Sequence, residues 1–223
     1  MENYAAILKH SPLFEGIEDV ELKPLLQCLM PSRRTIGKNE YVFLAGGSLQ
    51  SVGIVLSGSV HVLQEDYWGN RTILAHIPPG GLFGEAFAWA ELDCLPVSVI
   101  AVEKTEILML DDKRMITTCS SACDFHAALI KNMLKLLANK NILLTQKMEI
   151  LTRRTTRERL LAYLSTQAVK TGKNRFTIPF SRQQLADFLA VERSAMSAEL
   201  SRMQADGLIR TKRSEFTLLA MNL

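Results

Sequence analysis

Arg193, Ser194, Ser197, Ser201 and Arg202 are the side chains of this sequence best suited to chemistry with another molecule. They fall on the faces left over by an apolar stripe, Met196, Leu200 and Met203, whose spacing of four and three belongs to one side of a helix. A guanidinium and several hydroxyls on such a face offer donors and acceptors to phosphates and to the edges of bases. The surrounding segment, Phe180–Ile209, supplies the means to position them. Ser181 is an N-cap, with Gln184 at the capping-box position. Leu185, Phe188 and Leu189 share the apolar face of a first helix, with the small Ala186 beside them. Ala190 and Val191 make the turn. Glu192 is expected to cap the second helix only weakly, although its charge suits a helix N-terminus. Gly207 is the candidate C-terminal stop.

Two short helices about a tight turn form a helix-turn-helix, whose second helix enters the major groove of DNA. The bland alternative is a helical hairpin in an ordinary core. The residues beyond Gly207 argue against it. Residues 208–210 and 215–220 read as two strands around the basic turn Thr211-Lys212-Arg213-Ser214. That is a winged helix, with a hairpin tip able to touch a phosphate backbone.

Charge falls the same way. Residues 152–223 hold 13 basic and 6 acidic side chains, a net +7, so the first 151 residues carry −4 of the overall +3. A basic segment that coincides with a helix-turn-helix has the electrostatics that phosphate binding requires. The length suits two domains, and 48% hydrophobic residues can fill two cores. No apolar run is long enough to span a membrane, and the first residues carry no signal core. A cytoplasmic location is therefore expected. Cys28, Cys94, Cys119 and Cys123 lack the spacing of a zinc or iron–sulfur site and read as structural or incidental thiols, with redox sensing by Cys94 or Cys119 the alternative. No nucleophile–base pair stands out either, so the expectation is no enzyme, no catalytic residue, no metal and no cofactor.

The first 31 residues look helical. Short strands come next at 41–45, 51–56, 59–64, 71–77, 97–101 and 105–110, separated by glycine-rich turns such as Gly46-Gly47 and Pro78-Pro79-Gly80-Gly81. The expected fold class is α+β, with an N-terminal β-sandwich or jelly roll. Phe83, Phe87, Trp89, Leu95 and Val97 either line an apolar pocket or fill a core. His76, beside Ile77-Pro78, admits a haem reading, but a lone histidine next to a strand is more often structural. Residues 120–151 (Ser120–Leu151) contain neither proline nor glycine. The stripe Ile130–Met133–Leu137–Leu144–Leu151 is interrupted by Lys140 and Lys147 and accompanied by a second apolar face. A helix apolar on two faces needs two partners, here the β domain and the same helix of a second subunit; the bland alternative is a helix buried in one monomer core. Thr152-Arg153-Arg154-Thr155 reads as a hinge.

The run Val55-Leu56-Ser57-Gly58-Ser59-Val60, with Gly80-Gly81-Leu82-Phe83-Gly84-Glu85 after it, resembles the cyclic-nucleotide-binding fold of the Crp/Fnr transcription regulators. In that family an L/V-x-G-x-V hairpin precedes a G-x-x-x-G-E loop, and a long helix and a winged helix-turn-helix come after. The resemblance runs from about Ser11 to Leu219. It implies a sensory β domain over 1–119, a dimerisation helix over 120–151 and a DNA-binding domain over 152–223. The partners it implies are a palindromic double-stranded operator, a second copy of the chain, a small-molecule effector and RNA polymerase.

The resemblance also assigns residues. Nucleotide-binding members join Gly-Glu to an Arg-Ser pair about ten residues later. Gly84 and Glu85 match, but Leu95-Pro96 stands where Arg-Ser belongs, and no Lys or Arg lies between Gly84 and Glu103. A buried phosphate without a cation is costly. The expected effector is therefore not cyclic AMP, and its candidate contacts are Phe83, Gly84, Glu85, Trp89, Leu95 and Val97; Gly84 and Glu85 read equally as a turn glycine and a capping carboxylate. The alternative is a β domain that only scaffolds the dimer. In the DNA-binding part, Ser181, Arg182 and Gln183 match the phosphate-contacting start of the first motif helix. Arg193 matches the base-reading arginine. Ser194 replaces a frequent Glu, and Ala198 a frequent Arg, which implies an altered half-site. Ser197 and Ser201 are further candidate readers, and Arg202 and Arg213 candidate phosphate contacts.

Overall fold

The computed structural model describes residues 5–90, 92–116 and 124–219. Contacts divide the chain into two compact units, Met1–Asn70 with Leu74–Asn141 and Arg71–Ile73 with Ile142–Leu223. Cys119, Cys123 and the expected helix start at Ser120 lie outside the described residues.

The first unit opens with α1 (Ala5–His10), a 3-10 turn at Pro12–Phe14 and α2 (Asp19–Leu29). Glu18 and Glu21 form a reciprocal capping box at the start of α2. Eight strands come next: β1 (Ser32–Ile36), β2 (Tyr41–Phe43), β3 (Ser51–Ser57), β4 (Val60–Glu65), β5 (Arg71–Ile77), β6 (Leu82–Phe83), β7 (Ser98–Ala101) and β8 (Thr105–Asp111). They make two four-stranded sheets, ordered β1-β8-β3-β6 and β2-β7-β4-β5. This is the double-sheet arrangement of a jelly roll.

The six expected strands lie within two residues of the observed bounds. Two strands are additional. β1 is mostly exposed and polar, so it shows no apolar alternation; the β8 ladder holds it, from Ser32↔Met109 to Ile36↔Thr105. β6 is only two residues long.

The β3–β8 pair explains where the cores sit. Val55, Ile107 and Met109 point into the sandwich with Val60, Ile77, Phe83 and Val99. Their neighbours Val52, Ile54, Leu56, Leu108 and Leu110 pack on the other face against Leu8, Leu13, Leu25 and Leu29 of the helical segment. The period-two alternation of strands thus feeds two cores from one sheet. Gly53 is required because the Phe83 ring lies against it, so that a Cβ would fall 2.1 Å from the ring.

Two short helices, α3 (Glu85–Trp89) and α4 (Asp112–Ile116), precede α5 (Asp124–Leu151). Leu129 and Met133 of α5 enter the helical core, and Asn132 donates to the carbonyls of Leu13 and Glu15 at 3.0 and 2.8 Å. Leu134, Ile142, Leu143, Leu144 and Met148 remain exposed on the same helix.

In the second unit, α6 (Thr156–Thr171) leads through β9 (Arg175–Thr177) to α7 (Arg182–Leu189), α8 (Arg193–Ala205) and the hairpin β10 (Ile209–Lys212) and β11 (Glu215–Leu218). Leu160 and Leu164 are buried as expected, and Leu161 is half-buried. The expected two-stranded wing is a three-stranded sheet, β10-β11-β9. Phe216 of β11 stacks on Phe176 of β9, which is the packing that recruits the third strand.

Candidate nucleic-acid interface

α7 starts where the sequence places it. Ser181 Oγ accepts the N–H of Gln184 at 3.3 Å, and Gln184 Oε1 accepts the N–H of Ser181 at 2.8 Å. Leu185, Ala186 and Leu189 are fully buried. Ala190 closes the helix with φ 51°, and its N–H reaches Ala186 O. A left-handed alanine is uncommon, and here the turn is braced from outside. Arg159 of α6 donates to the carbonyls of Leu189 and Ala190 at 3.2 and 3.0 Å, satisfying the end of α7.

The expectation that Glu192 caps α8 only weakly is corrected. One carboxylate oxygen of Glu192 accepts the N–H groups of Ser194 and Ala195 and the Ser194 hydroxyl. A glutamate at the N-cap reaches the same orphan donors that a shorter side chain would. Chiefly through the Ser194 hydroxyl, its pKa is held below the ordinary carboxylate value.

Met196, Leu200 and Met203 are buried, as their spacing predicts. Glu199 is buried beside them, held by Arg157 of α6 at 3.6 Å and by Arg202 at 3.0 Å. Arg157 also pairs with Asp206 just past the end of α8. Two cations across a buried carboxylate fix the pitch of α8 on α6, a bracing that sequence spacing does not reveal. Gly207, with φ 73°, ends the helix; Gly207 N–H meets Gln204 O and Leu208 N–H meets Met203 O, both at 3.0 Å.

The opposite face of α8 is exposed at Arg193, Ser194, Ser197, Ala198, Ser201 and Arg202. Ser197 and Ser201 donate back to the carbonyls of Arg193 and Ser197, at 2.9 and 3.1 Å, so their lone pairs face outward. A cleft of about 460 Å³ beside this face is lined by Thr155, Thr156, Arg157, Ala195, Ala198, Glu199 and Arg202. The small side chains at Ala195 and Ala198 leave it open.

Two expected phosphate contacts are differently engaged. Arg182 turns inward, donating to Thr211 Oγ1 at 2.7 Å and lying 5.0 Å over the Phe216 ring, while Gln183 bonds Asp187 at 2.7 Å. Burial lowers the Arg182 pKa. Arg213 stands at the wing tip with φ 56°.

In the first unit, Gly84 has φ 86° and starts α3, whose first residue, Glu85, is 3% exposed. The cation on Glu85 comes from α5: Lys140 Nζ donates to Glu85 Oε1 at 2.6 Å and to Leu82 O at 2.7 Å. Glu85 Oε2 and Trp89 Nε1 are buried without hydrogen-bond partners. Sequence reasoning misses Lys140 as a site residue, although a charge interrupting an apolar stripe is its signal. The other candidate contacts are split. Phe83 belongs to the sandwich core, whereas Leu95 joins the helical core with Phe87 and Trp89 packed against it. Val97 is buried as well. Leu95 is pinned to Gly46-Gly47 by two backbone hydrogen bonds of 2.9 Å.

These residues do not fit a cyclic phosphate held in the family's manner. By the resemblance, apolar Leu95 stands where nucleotide-binding members carry arginine, and Leu49 packs so closely on Gly84 that a Cβ there would fall 3.0 Å from Leu49 Cδ2. His76 is not alone, since its Nδ1 lies 3.1 Å from Nε2 of buried His61. Burial, and then the neighbouring His76, push the His61 pKa down to about 4. Among the described residues no three His, Cys, Asp or Glu side chains group as metal ligands, and no helix is long and apolar enough to cross a membrane.

Comparison with known proteins completes the assignment. A cyclic nucleotide-binding domain matches residues 33–121, and a Crp-like helix-turn-helix domain matches residues 158–222. The transcriptional activator protein FnrA of Stutzerimonas stutzeri is 22% identical over 213 residues, covering 93% of this chain and 84% of that protein. The cyclic AMP receptor protein of Thermus thermophilus is 34% identical over 103 residues, 46% of each chain. Among solved structures, the c-di-GMP responsive regulator CLP of Xanthomonas campestris superposes with a TM-score of 0.73 at 19% identity, covering 89% of this chain and all of that one (100%). A CooA mutant from Carboxydothermus hydrogenoformans gives a TM-score of 0.73 at 20% identity, covering 98% of this chain and 92% of that one. The two domains, in this order and on this fold, define a DNA-binding transcription regulator rather than an enzyme. The chain belongs to the Crp/Fnr family.

Proposed function

We propose that the chain is a homodimeric, sequence-specific regulator acting in the cytoplasm on a palindromic operator, with an input other than cyclic AMP. The observation that carries the DNA reading is the exposed face of α8, which presents Arg193, Ser194, Ser197, Ser201 and Arg202 on a helix braced through Glu199 by Arg157 and Arg202. Arg193 reads a base; Arg202 and Arg213 meet phosphates, with Ser181 and Gln183 near them. The exposed Leu134, Ile142, Leu143, Leu144 and Met148 supply the apolar surface by which α5 meets the same helix of a second copy. RNA polymerase is the further partner through which a bound regulator would act. The functional division into 1–119, 120–151 and 152–223 belongs to the same reading.

Selection of binding sites from random duplexes, with sedimentation of the free protein, tests this reading. The expected result is a dimer and an inverted repeat with half-sites about one helical turn apart. A monomer, or no enriched sequence, defeats it. Native mass spectrometry of the purified protein tests the input, which we expect to be a retained compound other than cyclic AMP. A second reading, that the β domain takes no effector, is favoured by the packing of Leu49 on Gly84 and of Lys140 on Glu85.

A further inference from the structure

The Gly84-Glu85 pair, which the resemblance makes part of a nucleotide-binding loop, is engaged by the chain itself. Glu85 is buried, and its charge is balanced by Lys140 at 2.6 Å. The same ammonium holds Leu82 O at 2.7 Å, so one lysine grips the strand before Gly84 and the helix after it. A buried carboxylate is stable only with such a partner. An incoming anion would face Glu85 Oε2, which has no donor, and would have to draw Lys140 away. Leu49 packs beside Gly84, and Leu95 is buried and held by backbone bonds to Gly46-Gly47.

The position of Lys140 along the helix matters as much as its charge. It lies one residue before Asn141, where the first unit ends, and α5 continues through Ile142 into the second. An ion pair there fixes the helix immediately before it enters the part of the chain that carries the helix-turn-helix.

We propose that Lys140–Glu85 is a built-in clasp. It holds the Gly84–Glu85 loop to α5 without a ligand, so DNA binding does not wait for a cyclic nucleotide, and opening the clasp weakens DNA binding. The proposal rests on the DNA-binding reading above and deepens its second form. Its physical content is a coupling between residue 140 and the DNA-binding unit, which exists only if the clasped and unclasped states differ in DNA affinity.

The test compares operator affinity, by fluorescence anisotropy, for the wild type and the double variant Glu85→Gln/Lys140→Met. Lys140→Met alone leaves a buried carboxylate without a cation and endangers the fold; the double variant removes both charges. We expect cyclic AMP and cyclic GMP to leave wild-type affinity unchanged. We expect the double variant to melt close to the wild type yet to bind the operator about tenfold more weakly, within the ordinary range of allosteric coupling. Hydrogen exchange should quicken at residues 82–86 and 138–142. Wild-type affinity in the double variant, or a large response of the wild type to either nucleotide, overturns the clasp. If the wild type selects no DNA sequence, the DNA-binding reading has failed. Exchange then decides the clasp alone, and unchanged rates at 82–86 in the double variant overturn it.

Discussion

Ser194 donates its hydroxyl to Oε2 of Glu192, the same oxygen that accepts the backbone N–H groups of Ser194 at 2.6 Å and Ala195 at 3.2 Å. The hydroxyl hydrogen is thereby committed within the protein. What Ser194 can offer a base is its lone pairs, so in the proposed reading it would accept from an exocyclic amino group of adenine or cytosine. Ser194→Ala should leave the melting temperature nearly unchanged and relax preference at one base pair per half-site. Unaltered selectivity at every position would remove Ser194 from the set of readers.

The cap on α8 carries a pH signature. Hydrogen bonds, first that of the Ser194 hydroxyl, hold the Glu192 pKa below its ordinary value in the folded chain. A depressed carboxylate contributes stability above its unfolded pKa and loses it as pH falls through the folded one. The difference in melting temperature between the wild type and Glu192→Ala should be constant above about pH 5, given an unfolded value near 4.5, and should shrink in more acid solution. A difference that persists undiminished after the carboxylate is protonated would show that Glu192 acts other than by accepting as an anion.

In the proposed reading, Arg193 and Ala198 set the half-site. Arg193 begins α8 on its exposed face and can bond O6 and N7 of guanine together; Ala198, further along the helix, makes no hydrogen bond through its methyl group. Arg193→Ala should cost about 1–3 kcal/mol on the selected operator and broaden one position. Equal losses on operator and random DNA would make Arg193 a phosphate contact instead. Arg202 differs, because its guanidinium already braces Glu199 at 3.0 Å. Its loss should weaken binding to all sequences alike.

Much of this was legible in the sequence because it is local. Ser181 and Gln184 are three residues apart and cap each other; Met196, Leu200 and Met203 are one stripe; β5 has the bounds that the turns on either side of it imply. What escaped depends on groups far apart in the chain. Lys140 is 55 residues from Glu85, and its role appears only when α5 passes the Gly84 loop. β1 is polar and stands only because β8 pairs with it. Arg182 reads from sequence as a surface cation, yet Thr211 and Phe216 of the wing draw it inward. The five apolar residues around the loop read from sequence as either pocket or core. Two separate cores claim four of them and leave Val97 buried apart, and no periodicity distinguishes those outcomes.

His61 and His76 make a second pH-sensitive contact. They lie side by side on β4 and β5, Nε2 to Nδ1 at 3.1 Å, and burial pushes the His61 pKa down to about 4. At most one of the two facing nitrogens can carry the proton between them, so a second proton forces a buried like-charge pair. A histidine whose folded pKa lies below its unfolded value of 6.5 contributes stability above 6.5, and that stability is lost as pH falls from 6.5 toward 4. The melting temperature should therefore decline across that window, and His61→Phe should flatten the decline. A variant that tracks the wild type through the window would place the titrating group elsewhere.

Arg213 separates backbone from charge at the wing. It occupies the two-residue connection between Lys212 and Glu215 with φ 56°, a conformation that L side chains adopt at a cost of about 1–2 kcal/mol. Glycine relieves that strain but gives back about 0.5–1 kcal/mol in backbone entropy. Arg213→Gly should therefore fold with stability equal to or slightly above the wild type. Its DNA binding should nonetheless fall on specific and random duplexes together, with the slope of log affinity against log salt reduced by about one. A marked loss of stability would show that the guanidinium, not the backbone, holds the turn. An unchanged salt slope in a well-folded variant would show that the wing tip stays clear of the phosphates.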